Sequence, residues 1–141
     1  MAWIPARLRQ QVNERARGQC EYCQTQESIT IEMVIDHIIP LTRKGETSLS
    51  NLSLSCVGCN MFKRDFVAAI DPETGAETTL FNPRIQNWND HFSWDDEKTR
   101  LVGLTAVGRA TVSRLRMNRR GAVRARQRWV DAGLHPPIHG S

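Results

Sequence analysis

Leu8, Val12 and Ala16 recur four residues apart, with Pro5 ahead of them and Gly18 behind. That spacing predicts a helix over residues 5–17 with one apolar face. The run "ITIEMVI", residues 29–35, changes period: Ile29, Ile31, Met33 and Ile35 alternate with Thr30, Glu32 and Val34, the two-residue repeat of a half-buried strand. A polar, glycine-bearing loop, "TRKGETSLS", leads to a second short alternation in "NLSLSC", and "GCNMFKRDFVAA" reads as a helix starting near Asn60. Further on, "DPETGAETTLFNP" reads as a turn followed by a strand, and "HFSWDDEKTRLVGLT" as a hairpin with an acidic bend. Two closing helices are expected over residues 107–117 and 119–132, with Asn118 as a cap and Gly133 as a terminator. The pattern is α+β, with no internal repeat.

Composition narrows the class. A chain of 141 residues with 40% hydrophobic and 24% charged side chains can bury a real core, and no apolar run approaches the roughly 20 residues that span a bilayer. The opening "MAWIPARLRQQ" lacks the basic, apolar and small-residue order of a secretory signal, so a cytoplasmic, reducing compartment is expected. The net charge of +4 is unevenly spread. Residues 101–141 carry eight basic side chains, all arginine, against one acidic, which points to a polyanionic partner.

The four cysteines form two C-x2-C pairs, Cys20 and Cys23 in "CEYC" and Cys56 and Cys59 in "CVGC". Each pair has the spacing at which a tight turn brings two thiolates to one tetrahedral zinc, and four thiolates leave no open position, so such a site is structural. Two disulfides or four unliganded thiols are the alternatives; a reducing compartment disfavours the first.

A second group is polar. Asp36 and His37 sit side by side at the end of the first predicted strand, where neighbouring side chains can share a site only if the strand ends or twists, as Pro40 suggests. Asn51 follows the polar loop, and Asn60 follows the fourth cysteine, so a zinc clamp draws Asn60 toward Asp36. A neutral imidazole is a workable base near neutral pH, and carboxylate and amide oxygens suit Mg2+ or Mn2+. Those are the parts that phosphodiester hydrolysis requires.

The run "CEYC", "DHIIP", "NLSLSC" and "CVGCNMFK" resembles the HNH endonuclease family, in the subgroup with two C-x2-C pairs, over residues 15–65. The resemblance implies a ββα-metal core of two strands, an intervening loop and a helix gripping one divalent ion. It implies His37 as general base, Asp36 and Asn60 as ligands of the catalytic ion, and Asn51 orienting the base through a backbone contact. Asn60 stands where the family name has its last histidine. The reading divides the chain into a nuclease core with the structural zinc, residues 1–70, and an accessory extension, residues 71–141. "LFNPRIQNWNDHFSW" also resembles a segment that follows the core in this subgroup.

Lys63 and Arg64, one turn past Asn60, are candidate phosphate contacts or solvated helix charges. Arg120, Arg124 and Arg128 recur at four-residue steps opposite Ala122, Ala125, Trp129 and Ala132. They read as a phosphate-contacting stripe, or as partners of the acidic "WDDE" bend, or as plain solvated charge. His91 lies among Trp88, Phe92 and Trp94, a packed strand rather than a ligand, and His135 and His139 lie in a proline-rich end with no assigned role. The expected function is a metal-dependent endonuclease acting on DNA, with 3′-hydroxyl and 5′-phosphate ends implied by the resemblance. A zinc-stabilised nucleic-acid-binding module without catalysis, and an RNA-directed nuclease or toxin, are the rival readings.

Overall fold

The computed structural model describes residues 3–137. Helix α1, Ala6–Ala16, starts at Pro5 and stops where Arg17 and Gly18 turn left-handed at φ 56° and 69°. Its apolar face packs Val12, with Leu8 and Ile4, on Leu52 and Leu54. Arg15 ties the same helix to the start of the second strand, donating to the carbonyls of Leu49 and Leu52.

Strands β1, Met33–His37, and β2, Leu52–Cys56, pair antiparallel, with Met33 opposite Cys56 and His37 opposite Leu52. The loop between them carries single 3-10 turns at Leu41–Arg43 and Leu49–Asn51. β1 starts four residues later than the alternation predicts. β2 ends at Cys56, where the chain bends into a helix, so Ile29 has no strand to pair with; it stands fully exposed in a turn closed by the Ser28–Ile31 bridge.

Helix α2, Val57–Lys63, also departs from the expected bounds. It begins three residues before Asn60 because Cys56 caps it, its Sγ accepting from Cys59 N–H. It ends at Arg64, φ 52°, well before the predicted end. Ala68–Ile70 forms strand β3, paired with β4, Glu77–Thr79. Here turn chemistry overrides helix propensity. Asp71 accepts from Glu73 N–H and the Thr74 hydroxyl, and Gly75 takes φ 76°, which closes a hairpin.

A single turn, α3, Trp88–His91, leads into the hairpin β5, Phe92–Trp94, and β6, Leu101–Gly103, whose acidic bend is closed by Asp95 accepting from the N–H groups of Thr99 and Arg100. Helix α4, Ala106–Arg114, is capped by Thr105, which accepts from Gly108 N–H. A Cβ on Gly108 would run into the His91 carbonyl, so only glycine permits this approach of α4 to the β5–β6 hairpin. Asn118 is not the expected helix cap. Its amide bonds both N–H and C=O of Leu101, extending the hairpin edge, and the cap position of α5, Arg120–Asp131, falls to Arg119. Gly133, φ 73°, ends α5 as expected.

One core holds the two halves together. The four cysteines and Tyr22 pack with Leu80, Phe81, Trp88, Phe92, Leu101, Leu115 and Met117. Trp88 Nε1 donates to the Tyr22 carbonyl at 2.7 Å, and Arg84 bridges to Glu21, so the "FNPRIQNW" segment is bolted to the first cysteine turn. No helix among the described residues is long and apolar enough to cross a membrane.

Candidate functional site

The two cysteine pairs reach one point by the same local device. In each, the second residue's N–H donates to the first residue's sulfur, Cys23 to Cys20 at 3.5 Å and Cys59 to Cys56 at 3.4 Å. All four Sγ atoms lie within 4.8 Å of one another, and Cys23 and Cys56, from opposite pairs, are 3.7 Å apart. A tetrahedral ion at the usual zinc–sulfur length of about 2.3 Å holds its sulfurs about 3.8 Å apart, whereas a disulfide requires about 2.05 Å. The four are free, buried thiols arranged as a site that can hold zinc.

Arg126 supports that site from α5, and the sequence pattern did not single it out. Only 1% exposed, it donates to the Thr99 carbonyl at 3.0 Å and the Met117 carbonyl at 2.8 Å, and its guanidinium lies 5.3 Å over the Trp94 ring. Hydrogen bonds from Cys20, Cys56 and Cys59 hold Cys23 well below the ordinary thiol range, and the Arg126 charge lowers it further. A buried cation beside a cluster of thiolates compensates part of its negative charge.

The Asp36–His37 pair is split across two faces, because β1 stays regular through His37. Asp36 turns inward, 5% exposed, and accepts from the Tyr22 hydroxyl at 2.8 Å, which in turn accepts from Ser53. Lys63 Nζ lies 3.1 Å from Asp36 Oδ2 and 3.3 Å from Oδ1, and donates to the carbonyls of His37 and Ile38. Lys63 is therefore no phosphate contact. It is 1% exposed and is the counter-ion of Asp36. The signal was present in the sequence: Lys63 lies four residues after Cys59, so on a helix both face inward. Burial pushes the Asp36 carboxyl above its ordinary value, and Lys63 and then Tyr22 pull it partway back.

His37, half-buried, has Nε2 at 2.9 Å from Thr47 Oγ1. Asn51 clamps the backbone just beyond it: its amide oxygen accepts from Ile39 N–H, and its NH2 donates to the carbonyls of Ile39 and Glu46, all at 2.8–2.9 Å. Thr47 and Tyr22 carried no sequence signal, being single polar groups in a loop and in a cysteine turn. Asn60 stands half-buried on α2, one turn before Lys63. Its amide and the Asp36 carboxylate are oxygen donors suited to a hard divalent ion, and Asp36 Oδ1, with only one long contact, keeps capacity for it. An ion held there would compete with Lys63.

The remaining candidates sort by exposure. Arg64, Arg120, Arg124 and Arg128 are exposed, and none forms an ion pair among the described residues, so pairing with "WDDE" is not found. His91 ends α3 rather than sitting in a strand; its Nδ1 meets Thr105 Oγ1 at 2.6 Å and its ring packs on Phe81. His135 is buried against Trp94 and Trp129, so the proline-rich end is packed as far as Pro137, while His139 lies outside the described residues.

The hairpin β1–β2 followed by α2, with paired cysteines at both ends, is a ββα unit of the HNH type. Residues 20–66 match the family model described as HNH endonuclease, from the first clustered cysteine to just past α2. Residues 20–66 thus match as an HNH endonuclease domain, and the four-cysteine cluster agrees with the subgroup bearing paired cysteines. No curated protein and no solved structure matches the chain.

Proposed function

We propose that the protein is a metal-dependent endonuclease that hydrolyses phosphodiester bonds in DNA in the cytoplasm, with His37 as general base. The observation that carries this reading is the Asn51 clamp: three hydrogen bonds fix the backbone beyond His37, and Thr47 holds one ring nitrogen. That is a supporting shell for a side chain whose position matters, since an error of about 1 Å can cost on the order of a hundredfold in rate. In the tautomer whose Nε2–H donates to Thr47 Oγ1, the lone pair lies on Nδ1, which then takes the proton of the attacking water. The water oxygen adds to phosphorus as the P–O3′ bond breaks, and the leaving 3′-oxygen takes a proton from solvent water, giving 5′-phosphate and 3′-hydroxyl ends. A divalent ion such as Mg2+ or Mn2+, when bound, offsets charge on the phosphate. Asp36 and Asn60 would hold it. The cysteine cluster would hold a structural Zn2+ that fixes α2 against β1.

The Asp36–Lys63 ion pair favours one rival, a nucleic-acid-binding module without catalysis, because it neutralises the carboxylate. An RNA-directed nuclease shares the chemistry and differs in substrate. Supercoiled plasmid and a folded RNA, incubated with Mg2+ or Mn2+, distinguish the three. The expected outcome is nicking or cutting of plasmid by the wild type, none by a folded His37→Ala, and loss of zinc and fold in Cys56→Ser. Wild-type rates from His37→Ala would remove the base assignment, and an inert wild type that still binds DNA would establish the module.

A further inference from the structure

Between the end of α2 and the last turn of α4 lies a groove of about 720 Å3, lined by Arg43, Arg114 and Arg116 beside Phe66 and β3. Its arginines are held in place. The Arg114 guanidinium sits 4.6 Å over the Phe66 ring, and that of Arg116 sits 5.0 Å over Phe62. Arg43 Nε is fixed by the Asp65 carbonyl at 3.0 Å. A guanidinium stacked on a ring loses freedom yet keeps its in-plane N–H fork for an anion. Arg114 Nε is buried with no hydrogen-bond partner, a donor that costs stability until an acceptor arrives. None of the three forms an ion pair among the described residues, and Glu77 is the one acid lining the groove.

A second groove, about 460 Å3, shares Arg43 and Val67 with the first and reaches Ile38 and Ile39, the two residues after His37. The arginine groove therefore opens, through the shared Arg43, onto a mainly apolar groove that ends beside the candidate base. We propose that this arginine groove, rather than the stripe on α5, carries the phosphate backbone of the nucleic acid and leads it to His37. Arg114 and Arg116 lie outside residues 20–66 and Arg43 within them, so the extension completes this track. The inference rests on the nuclease reading and names where its substrate lies.

The test measures binding of a fluorescein-labelled DNA duplex between 50 and 200 mM salt in the His37→Ala background, so that no substrate is consumed. Each phosphate contact contributes about 0.9 to the logarithmic salt slope, or about 3.5-fold over this range. Arg114→Gln/Arg116→Gln should make the fall in affinity about twelvefold smaller, and Arg120→Gln/Arg124→Gln/Arg128→Gln should leave it nearly unchanged. If the double variant melts early, Arg116→Gln alone, at an exposed position, should give about 3.5-fold. The reverse ranking, with α5 carrying the salt slope, overturns the inference. A wild type that cuts plasmid beside a groove variant that binds and cuts equally well also overturns it and leaves the nuclease reading intact. A wild type that neither binds nor cuts any nucleic acid removes both. The same oligonucleotide as single-stranded DNA and as RNA separates the sources of phosphate: tighter RNA binding that still depends on Arg114 and Arg116 supports the groove and changes the substrate class.

Discussion

Two buried carboxylates in this molecule face a cation, and they behave oppositely. Asp71, at the β3–β4 turn, receives a two-pronged contact from Arg109, Nε to Oδ1 and Nη2 to Oδ2, each 2.9 Å, plus Glu73 N–H and the Thr74 hydroxyl. The Arg109 guanidinium holds its carboxyl far below the usual range. Asp36, in the nuclease core, receives one hydroxyl and an ammonium that it shares with two backbone carbonyls, and burial holds its carboxyl above the usual range. The turn carboxylate stabilises the fold as an anion, whereas the core carboxylate opposes it. A buried charge held above its usual range, under a strand end that also carries a clamped histidine, is what the proposed nuclease role would put to use.

The largest test of that contrast removes the core cation. Lys63→Met leaves the Asp36 charge buried and unpaired, and should cost about 3–5 kcal/mol in urea denaturation. If the place of the ammonium is one that a divalent ion can take, millimolar Mg2+ or Mn2+ should recover part of this loss in Lys63→Met and little in the wild type. Replacing both partners, as in Asp36→Leu/Lys63→Met, should return stability to the wild-type level or above while nuclease activity stays absent. A double variant as unstable as Lys63→Met would show that the pair is architectural.

A smaller effect is expected at Arg126, the other buried cation among the described residues. Arg126→Met leaves the carbonyls of Thr99 and Met117 without donors and removes the charge beside Cys23, and about 2–3 kcal/mol should be lost. Zinc retention, followed with a chromogenic chelator, should weaken by 10- to 100-fold. Unchanged retention with reduced stability would confine Arg126 to packing.

These cases show what the sequence could disclose. Periods of four and two located α1 and β2, and the cysteine spacing located the four-cysteine cluster, because each rests on short-range geometry. The bounds of β1 and α2 did not follow from period, since they depend on where a partner strand stops and on a sulfur cap. Lys63 and Arg126 were misassigned or overlooked for one reason. Charged residues were counted as outward-facing, although Lys63 shares a helix face with Cys59, and Arg126 lies four residues after Ala122 and three before Trp129 on the inward side of α5. Asp36 was legible as a polar residue at the end of an apolar strand and Asn51 only through the family resemblance, and the register of β1 was needed to show that Asp36 and His37 point apart.

The gentlest test uses pH to compare the two carboxylates directly. Asp71 is lowered in the fold, first by Arg109, so its stabilisation is fully present above the unfolded value near 3.9 and is lost as pH falls toward the folded value. Asp36 is raised in the fold, so its contribution is most favourable below about 3.9 and is lost as pH rises through the folded value. The stability gap between wild type and Asp71→Asn should therefore hold from pH 7 to about 5 and narrow toward pH 3. Relative to Asp36→Leu/Lys63→Met, the wild type should gain stability over the same descent. Protonation of the cysteines affects the members of each comparison alike, so the differences isolate the carboxyls. Equal slopes of the same sign would mean that Asp36 is as well satisfied as Asp71, and the argument from its burial to a functional charge would lose its physical basis.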